Sequence, residues 1–209
     1  MVFQRPHRYE IFNRRIYDLI EKSKKVLDVG CATGKLGEML KKEKNCFVVG
    51  IEIDKDMAEE AKERCDQVIV SDIETLYELP FPHGFFDVIV FADILEHLRH
   101  PEEVLRRLKN YVSNDGYILI SIPNIAFITI RLGLLFGKFY YGKWGILHER
   151  HLRFFVQETA ERLMEESGYR IVRFEGYTQV RSRYFLVSLA GKIWKRLFAT
   201  NFIIEAVKK

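Results

Sequence analysis

The chain has 209 residues, of which 48% are hydrophobic and 30% are charged, a composition typical of an ordinary soluble globular protein. We expect a single domain that spans 1–209, because this length supports one sizeable core. The net charge of +4 does not demand a nucleic-acid partner. No pair of the three cysteines has metal-ligand or redox spacing, and their odd number argues against a disulfide framework.

Apolar and amphipathic patterns divide the first half of the chain into alternating strands and helices. A turn at Asn114–Gly116 precedes the last strand of this half. Such alternation predicts right-handed crossovers and a largely parallel α/β sheet. In chain order the predicted elements are helix Arg8–Lys22, strand Lys25–Val29, helix Lys35–Lys44, strand Cys46–Ile53, helix Asp56–Cys65, strands Gln67–Val70 and Phe86–Phe91, helix Pro101–Tyr111 and strand Tyr117–Ile122.

The second half opens with a stretch, 124–155, that is rich in aromatic residues and glycine and has no clean period. We expect this stretch to be an insertion that covers the substrate. Gly168 suits the position just after a helix end, where glycine adopts the left-handed conformation at little cost. The remaining predicted elements are helix Gln157–Ser167, strand Tyr169–Tyr177, helix Arg183–Phe198 and strand Phe202–Val207.

The segment Val26–Gly37 joins a predicted strand to a predicted helix through a turn of small residues, which lets a backbone approach a nucleotide closely. Its spacing is not that of a Walker phosphate loop, and a dinucleotide motif would need alanine in place of its first glycine. Asp28 precedes the turn, where a carboxylate would repel a pyrophosphate and attract an ammonium or sulfonium group. The segment therefore favours S-adenosylmethionine over NAD. The turn residues expected to contact this ligand are Gly30, Cys31, Ala32 and Gly34.

Two further carboxylates follow the next strands, at the edge where open α/β sheets bind ligands. Glu52 lies about 20 residues after the turn, where it can accept hydrogen bonds from both ribose hydroxyls, and Ile53 follows it. Asp72 can accept the exocyclic amine of adenine while Ile73 packs on the ring. Each carboxylate also has a plainer interpretation, as a residue that caps a helix or stabilises a turn.

The fourth strand leads into Glu96 and His97, which begin a helical turn. We expect Phe91 and Ala92, at the end of this strand, to line the cofactor. Adjacent helix residues do not point to one place, and the sequence offers no third ligand, so we predict no metal. His97 is a candidate for catalysis or for a structural hydrogen bond.

Together these motifs resemble class I S-adenosylmethionine-dependent methyltransferases. The order VLDVGCATG, GIEID, SDIETL, FDVIVFADILEHL and GYILISIPN, from Val26 to Asn124, is similar to the small-molecule branch that includes ubiquinone and menaquinone biosynthesis. The later segment GILHERHLRFF is similar to bacterial members in polysaccharide or lipid-linked sugar pathways. The resemblance implies a Rossmann-like, mostly parallel sheet of seven strands in the order 3-2-1-4-5-7-6, with helices on both faces and the last strand antiparallel.

The resemblance also implies roles for the residues singled out above. S-adenosylmethionine would be the cofactor and S-adenosylhomocysteine the product. Asp28 and the turn would lie near the methionine part, Glu52 at the ribose, and Asp72 with Ile73 at adenine. Two positions depart from the family pattern, namely Ala32, where glycine is commoner, and His148, where we expect aspartate.

Methyl transfer from a sulfonium depends largely on aligning the acceptor and excluding water. If the acceptor is a hydroxyl, a general base helps to remove its proton, and histidine suits that task. The candidates are His151, His97 and His148, of which we favour His151; its alternative role, shared with Arg153, is an orienting hydrogen bond to the backbone. The expected acceptor contacts are Asn124, Tyr141, Trp144 and Arg153.

The favoured function is methyl transfer to a hydroxyl of a sugar, a quinone-like compound or a lipid-linked compound. A protein or RNA methyltransferase is an alternative, although Ser121–Asn124 replaces the Asn/Asp-Pro-Pro-aromatic motif for planar nitrogen and no basic domain is appended. A second alternative is a non-catalytic module that retains the cofactor-binding fold, and a third is an NAD-dependent enzyme.

We expect a small-molecule acceptor, no nucleic acid, and a monomer or homodimer. Two stretches, 125–136 and 192–198, combine apolar and basic residues and would suit a membrane surface, but we favour burial of their apolar faces in the core or a dimer contact. The N-terminus lacks the apolar core of a signal peptide and no stretch is long enough to span a bilayer, so we expect a cytoplasmic protein.

Overall fold

A computed structural model of the protein describes residues 12–178 and 194–209. Its strands are β1 (Lys25–Val29), β2 (Phe47–Glu52), β3 (Gln67–Val70), β4 (Phe86–Ala92), β5 (Val112–Pro123), β6 (Tyr169–Tyr177) and β7 (Asn201–Lys208). Its α-helices are α1 (Arg14–Leu19), α2 (Lys35–Lys44), α3 (Lys55–Lys62), α4 (Pro101–Leu108), α5 (Ile128–Leu135), α6 (Gln157–Glu166) and α7 (Lys195–Phe198). Short 3₁₀ helices form at Leu95–His97 and Lys109–Tyr111.

The strands form one seven-stranded sheet in the order β3-β2-β1-β4-β5-β7-β6, which confirms the predicted fold class. Strands β1 to β4 pair in parallel, and β7 runs antiparallel to β6. The parallel register places Asp28 opposite Gly50 on β2 and Val90 on β4. Within this sheet the carboxyl ends of β1 and β2 are therefore neighbours, as a ligand site of an α/β protein requires.

The chain forms two compact units, each with its own buried residues. Of the described residues, the first contains those up to Ala92 and Arg107–Leu119, and its central strands β1, β2 and β4 are buried along almost their whole length. The second contains Asp93–Arg106 and the described residues from Ile120 onward. Its wholly buried Tyr169 donates a hydrogen bond from its hydroxyl to the Leu105 carbonyl at 3.0 Å.

Two predicted boundaries differ from the structure for identifiable reasons. The predicted turn at Asn114–Gly116 is wrong, since β5 runs without interruption from Val112. A Cβ on Gly116 would lie 2.8 Å from the Asp87 carbonyl oxygen, so glycine is needed there for close packing between strands rather than for a turn. Helix α1 begins only after Asn13, whose side chain accepts hydrogen bonds from two amides of the first turn.

Parts of two predicted helices, 8–11 and 183–193, lie outside the described residues. Within the predicted insertion 124–155 the structure contains α5, a regular helix that the sequence pattern did not separate from its surroundings. Among the residues that the structure describes, no helix is both long enough and apolar enough to cross a membrane.

Candidate functional site

The turn after β1 adopts a conformation that suits glycine. Gly30, Ala32 and Gly34 all have positive φ angles, of 74°, 49° and 77°. Ala32 holds this left-handed conformation although it carries a Cβ, and glycine would adopt the same conformation with less strain. The amides of Gly30 and Cys31 donate to the Ile51 carbonyl at 2.8 and 3.0 Å, so the turn is fixed to the end of β2.

Cys31 packs against Gly50 of β2 next to the turn. Its side chain is buried, and its sulfur lies 2.5 Å from the position that a Cβ on Gly50 would occupy. A hydrogen bond with Cys65 and burial raise the pKa of the Cys31 thiol, which therefore stays protonated. The side chain is a packing element, so any contact of Cys31 with a ligand would have to come from its backbone.

Asp28 is a buried carboxyl group with an unusual titration. It is only 3% exposed, and burial together with the nearby charge of Glu52 raises its pKa to about 7. Two carboxylates that repel one another in a buried place would be stabilised by a cation held between or beside them. The first unit therefore offers a site that favours a positively charged ligand group.

Glu52 connects the turn to the start of α3. One carboxylate oxygen accepts a hydrogen bond from the Ala32 amide at 2.8 Å, and the other accepts from the Asp54 amide at 2.9 Å. Each oxygen keeps a second lone pair, so these bonds orient the carboxylate without exhausting it as an acceptor. Asp54 caps α3, since its side chain accepts hydrogen bonds from the amides of Asp56 and Met57.

The residues expected around adenine differ in exposure. Ile53 is 65% exposed at the end of β2, an apolar side chain that a flat ring could cover. Asp72 accepts a local hydrogen bond from the Glu74 amide at 2.8 Å, as a turn residue would, and Ile73 is mostly buried. Phe91 has no exposed surface, which argues against its expected place in the lining of the cofactor site, whereas Ala92 at the end of β4 is partly exposed.

The second unit brings three histidines and one buried glutamate together. The ring centroids of His97 and His151 are 4.8 Å apart, and those of His148 and His151 are 5.3 Å apart. Glu96 is almost wholly buried, and its Oε1 lies 4.0 Å from Nε2 of His151. The three histidines proposed as general bases are spread over 55 positions of the chain, and they thus belong to one cluster that includes the Glu96 carboxylate.

Hydrogen bonds determine which nitrogen of each ring carries the proton. Nδ1 of His97 donates to the Arg150 carbonyl at 3.1 Å, and Nδ1 of His151 donates to the Ile146 carbonyl at 2.9 Å. In the neutral ring Nε2 is then the lone-pair nitrogen of both residues. His148 has the opposite tautomer, because its Nδ1 accepts from the Arg150 amide at 3.2 Å. Burial lowers the pKa of His97, which keeps that ring neutral at pH 7.

The segment after the histidines is held against Glu96 through its backbone. The amides of Leu152 and Arg153 both donate to the Glu96 carbonyl, at 2.8 and 3.0 Å. The Arg153 guanidinium donates to the Arg99 carbonyl, with Nε at 3.1 Å. The Arg153 side chain thus makes the backbone hydrogen bond that was one of its two expected roles, and its contact with an acceptor stays a prediction.

Asn124 is buried and bonded within the protein, which argues against the acceptor contact expected of it. It is wholly buried; its Nδ2 donates to the Ala199 carbonyl at 2.8 Å and its Oδ1 accepts from the Ala126 amide at 3.0 Å. With both ends of its amide occupied, Asn124 joins the start of 124–155 to the chain before β7. Tyr141 and Trp144 are more than half exposed and remain available to an acceptor.

The histidine cluster supplies the third potential metal ligand that the sequence lacked. Glu96, His97 and His151 each offer one ligand atom, and these atoms lie within 4.8 Å of one another. Both histidines donate Nδ1–H to backbone carbonyls, an arrangement common to metal ligands and to catalytic bases alike. An exposed group at His100, Glu102 and Glu103 has the same spacing but lies on a solvated helix start.

One polar network was missed by sequence reasoning. Asp93, which follows β4 directly, has a strained φ of 55°, and its Oδ1 accepts from the Ser121 hydroxyl at 2.6 Å and from Asn201 Nδ2 at 3.2 Å. Asn201 lies 108 positions away in the chain, so no local pattern connects it to Asp93. These bonds fix the residue that leads into the turn of Glu96 and His97.

Comparison with known proteins identifies relatives for most of the chain. A family model described as a methyltransferase domain matches residues 3–173. The ubiquinone biosynthesis O-methyltransferase of Neisseria meningitidis serogroup C (strain 053442) is 33% identical over 111 residues, which cover 49% of this chain and 45% of that protein. The demethylmenaquinone methyltransferase of Listeria monocytogenes serotype 4a (strain HCC23) is 25% identical over 175 residues, 74% of this chain and 73% of the relative.

Solved structures share the fold. A crystal structure of a SAM-dependent methyltransferase from Archaeoglobus fulgidus superposes with a TM-score of 0.67 at 24% identity, covering 94% of this chain and 90% of that one. At this sequence identity the structural similarity supports a shared fold and nothing more. The chain spans about half the length of the first curated relatives that it matches.

Proposed function

Because this chain belongs to the class I S-adenosylmethionine-dependent methyltransferase family, we propose that it transfers a methyl group to a hydroxyl of a small molecule. The observation that carries the proposal is the buried pair of His151 and Glu96. A hydroxyl acceptor must lose a proton during the transfer, and this pair is suited to take it. The acceptor class we propose is a quinone-like, sugar or lipid-linked compound.

S-adenosylmethionine supplies a methyl group that its sulfonium has already activated. The residues proposed to bind it are Asp28, the turn from Gly30 to Gly34, Glu52 and Asp72. The repulsion between Asp28 and Glu52 supports a cationic ligand, and it argues against a pyrophosphate at the same place. The exposed side chain of Ile53 supports adenine nearby, because a flat apolar ring would remove it from water.

His151 is proposed as the general base. Its Nδ1 is committed to the Ile146 carbonyl, so the proton from the acceptor hydroxyl would go to Nε2. Glu96, 4.0 Å from Nε2, would stabilise the resulting imidazolium. His97 and His148 lie beside this ring and are proposed to pack against it rather than to take the proton.

The binding site for the methyl acceptor is proposed to lie along residues 124–155. Two curated relatives carry names from quinone biosynthesis, and one of them is named an O-methyltransferase, so a hydroxyl of a quinone-like compound is the first acceptor to test. The exposed rings of Tyr141 and Trp144 support the same class, because aromatic side chains stack on flat apolar ligands. Under this proposal 124–155 acts as the substrate-covering insertion, and Arg153 orients it.

The test is transfer of a labelled methyl group from S-adenosylmethionine to a panel of phenols, catechols and sugar hydroxyls. We expect turnover with at least one hydroxyl acceptor and a loss of about 100-fold or more in kcat for His151→Asn. Asparagine retains a donor for the Ile146 carbonyl but has no basic nitrogen. His100→Asn, on an exposed histidine of the same unit, is the matched control and should leave kcat unchanged.

Two results would contradict the proposed base. Near-normal turnover of His151→Asn with the true acceptor would exclude His151 from proton transfer. Loss of activity after dialysis against a chelator, with recovery on adding Mg²⁺ or Zn²⁺, would instead assign Glu96, His97 and His151 to a metal. Methylation of protein or RNA in place of every small molecule would favour the alternative acceptor class.

A further inference from the structure

Helix α5 and the loop after it form an exposed apolar surface on the second unit. None of the eight residues of α5 is buried, so the core burial favoured for 125–136 on sequence grounds is wrong for this helix. Leu135 and Phe136 are 76% and 72% exposed, and Leu132 and Leu134 are about half exposed. A cluster of large apolar side chains facing water marks a surface that another body covers. We call residues 131–144 the α5 surface.

The charges of the α5 surface all have one sign. Arg131, Lys138 and Lys143 are exposed, and the sequence contains no aspartate or glutamate between Asp115 and Glu149. In the rest of the chain acidic and basic residues are interspersed, and the net charge is only +4. The α5 surface is therefore a local positive patch built into an apolar one.

Aromatic residues that carry a polar group accompany the basic ones. Tyr140, Tyr141 and Trp144 are all more than half exposed. Tyrosine and tryptophan favour the boundary between water and hydrocarbon, because one end of each ring system is apolar and the other forms hydrogen bonds. Leucine and phenylalanine favour the hydrocarbon, whereas lysine and arginine favour the headgroups.

We propose that the α5 surface docks on an anionic lipid bilayer. Leu132, Leu134, Leu135 and Phe136 would enter the boundary of the acyl chains, about 5–10 Å deep. Arg131, Lys138 and Lys143 would contact the anionic headgroups, each adding about five-fold to the partition at low ionic strength. The docking is peripheral, since an eight-residue helix is far too short to span the bilayer.

Charge complementarity selects the bilayer over a second copy of the chain. A symmetric dimer through the α5 surface would bring six like charges, three from each copy, against one another without an acidic partner on the surface. A nucleic acid would match the charge but would leave Leu135 and Phe136 in water. An anionic membrane satisfies the apolar and the basic groups together.

The test is cosedimentation of the full chain with two kinds of vesicle. One consists of phosphatidylcholine alone, and the other contains about 30% phosphatidylglycerol to supply negative charge. We expect binding to the anionic vesicles that weakens at 0.5 M salt, an ionic strength that shortens the Debye length to about 4 Å. The charge variant Arg131→Glu, Lys138→Glu, Lys143→Glu should lower the partition at least 100-fold. The apolar variant Leu135→Gln, Phe136→Gln should lower it at least ten-fold.

The matched control is Lys22→Glu, Lys55→Glu, Arg106→Glu, which changes the net charge equally at exposed positions outside the α5 surface. It should retain most of the binding, and circular dichroism should show that all variants are folded. Failure of the wild type to bind anionic vesicles, or equal loss in the control, would overturn the proposal. The proposal would also be overturned if light scattering showed a dimer for the wild type and a monomer for the apolar variant, because that result assigns the α5 surface to a second copy. Binding of S-adenosylmethionine is measured separately and does not depend on this outcome.

Discussion

Replacing Asp28 by asparagine tests the electrostatics of the methionine end of the site. Burial and the charge of Glu52 raise the pKa of Asp28 to about 7 in the free protein. If a cationic ligand requires the ionised carboxylate, its affinity follows the ionised fraction, which is about one eleventh at pH 6 and about ten elevenths at pH 8. The dissociation constant for S-adenosylmethionine should therefore be about tenfold higher at pH 6 than at pH 8.

The assay is calorimetric titration at both pH values, with Asp28→Asn as the reference for every other titrating group, including the amino group of the ligand. The variant should bind more weakly at pH 8 and should change less than about two-fold between the two pH values. If the affinity of the variant for S-adenosylmethionine falls between pH 8 and pH 6 by the same factor as that of the wild type, the role of Asp28 is refuted.

The same pKa has a consequence for stability. The pKa of Asp28 is higher in the folded state than its value of 3.8 in an unfolded chain, so the folded state binds the proton more tightly. The stabilisation is complete below about pH 4 and is lost progressively as the pH rises to about 7. Three pKa units correspond to about 4 kcal/mol as an upper bound, so Asp28→Asn should be more stable than the wild type at pH 8.

Three other variants test particular contacts. Glu96→Gln should lower kcat about 10- to 100-fold without changing affinity for S-adenosylmethionine, because it removes the charge 4.0 Å from Nε2 of His151; unchanged kcat in the methyl-transfer assay would contradict this. Ala32→Gly should raise the free energy of unfolding in urea by up to about 1 kcal/mol, since glycine adopts φ = 49° more easily, and a loss of stability would show that the strain is absent. Asn124→Ala should lower that free energy by about 2–3 kcal/mol through the Ala199 carbonyl and the Ala126 amide left without their partner, and a change below about 0.5 kcal/mol would contradict the buried role.

Local sequence patterns predicted several strands and helices of the first unit. Strand β1, helix α2 and strand β3 have the predicted boundaries, because a buried apolar run and an amphipathic period are both local signals. Ala32 was recognised as a departure from glycine, and its positive φ supplies the physical reason. Gly116 was misread because a glycine for close strand packing has the same local appearance as a glycine for a turn.

The second unit depends on contacts between distant residues, which a single sequence does not display. Asn124 had the correct chemistry for an acceptor contact, but its partners near β7 occupy both ends of its amide. The cluster of Glu96 with His151 exists because the Leu152 and Arg153 amides bind the Glu96 carbonyl, a backbone contact without a sequence signature. Phe91 was assigned to the cofactor from its place at a strand end, whereas its direction within the strand buries it.

Titration of the folded chain with S-adenosylmethionine at pH 8, with NAD as the comparison ligand, measures which of the two ligands the protein binds. We expect one-to-one binding of S-adenosylmethionine with a dissociation constant between about 1 μM and 1 mM, weakened by Asp28→Asn, and no measurable binding of NAD. A folded protein that binds NAD, or that binds neither ligand, would contradict this expectation.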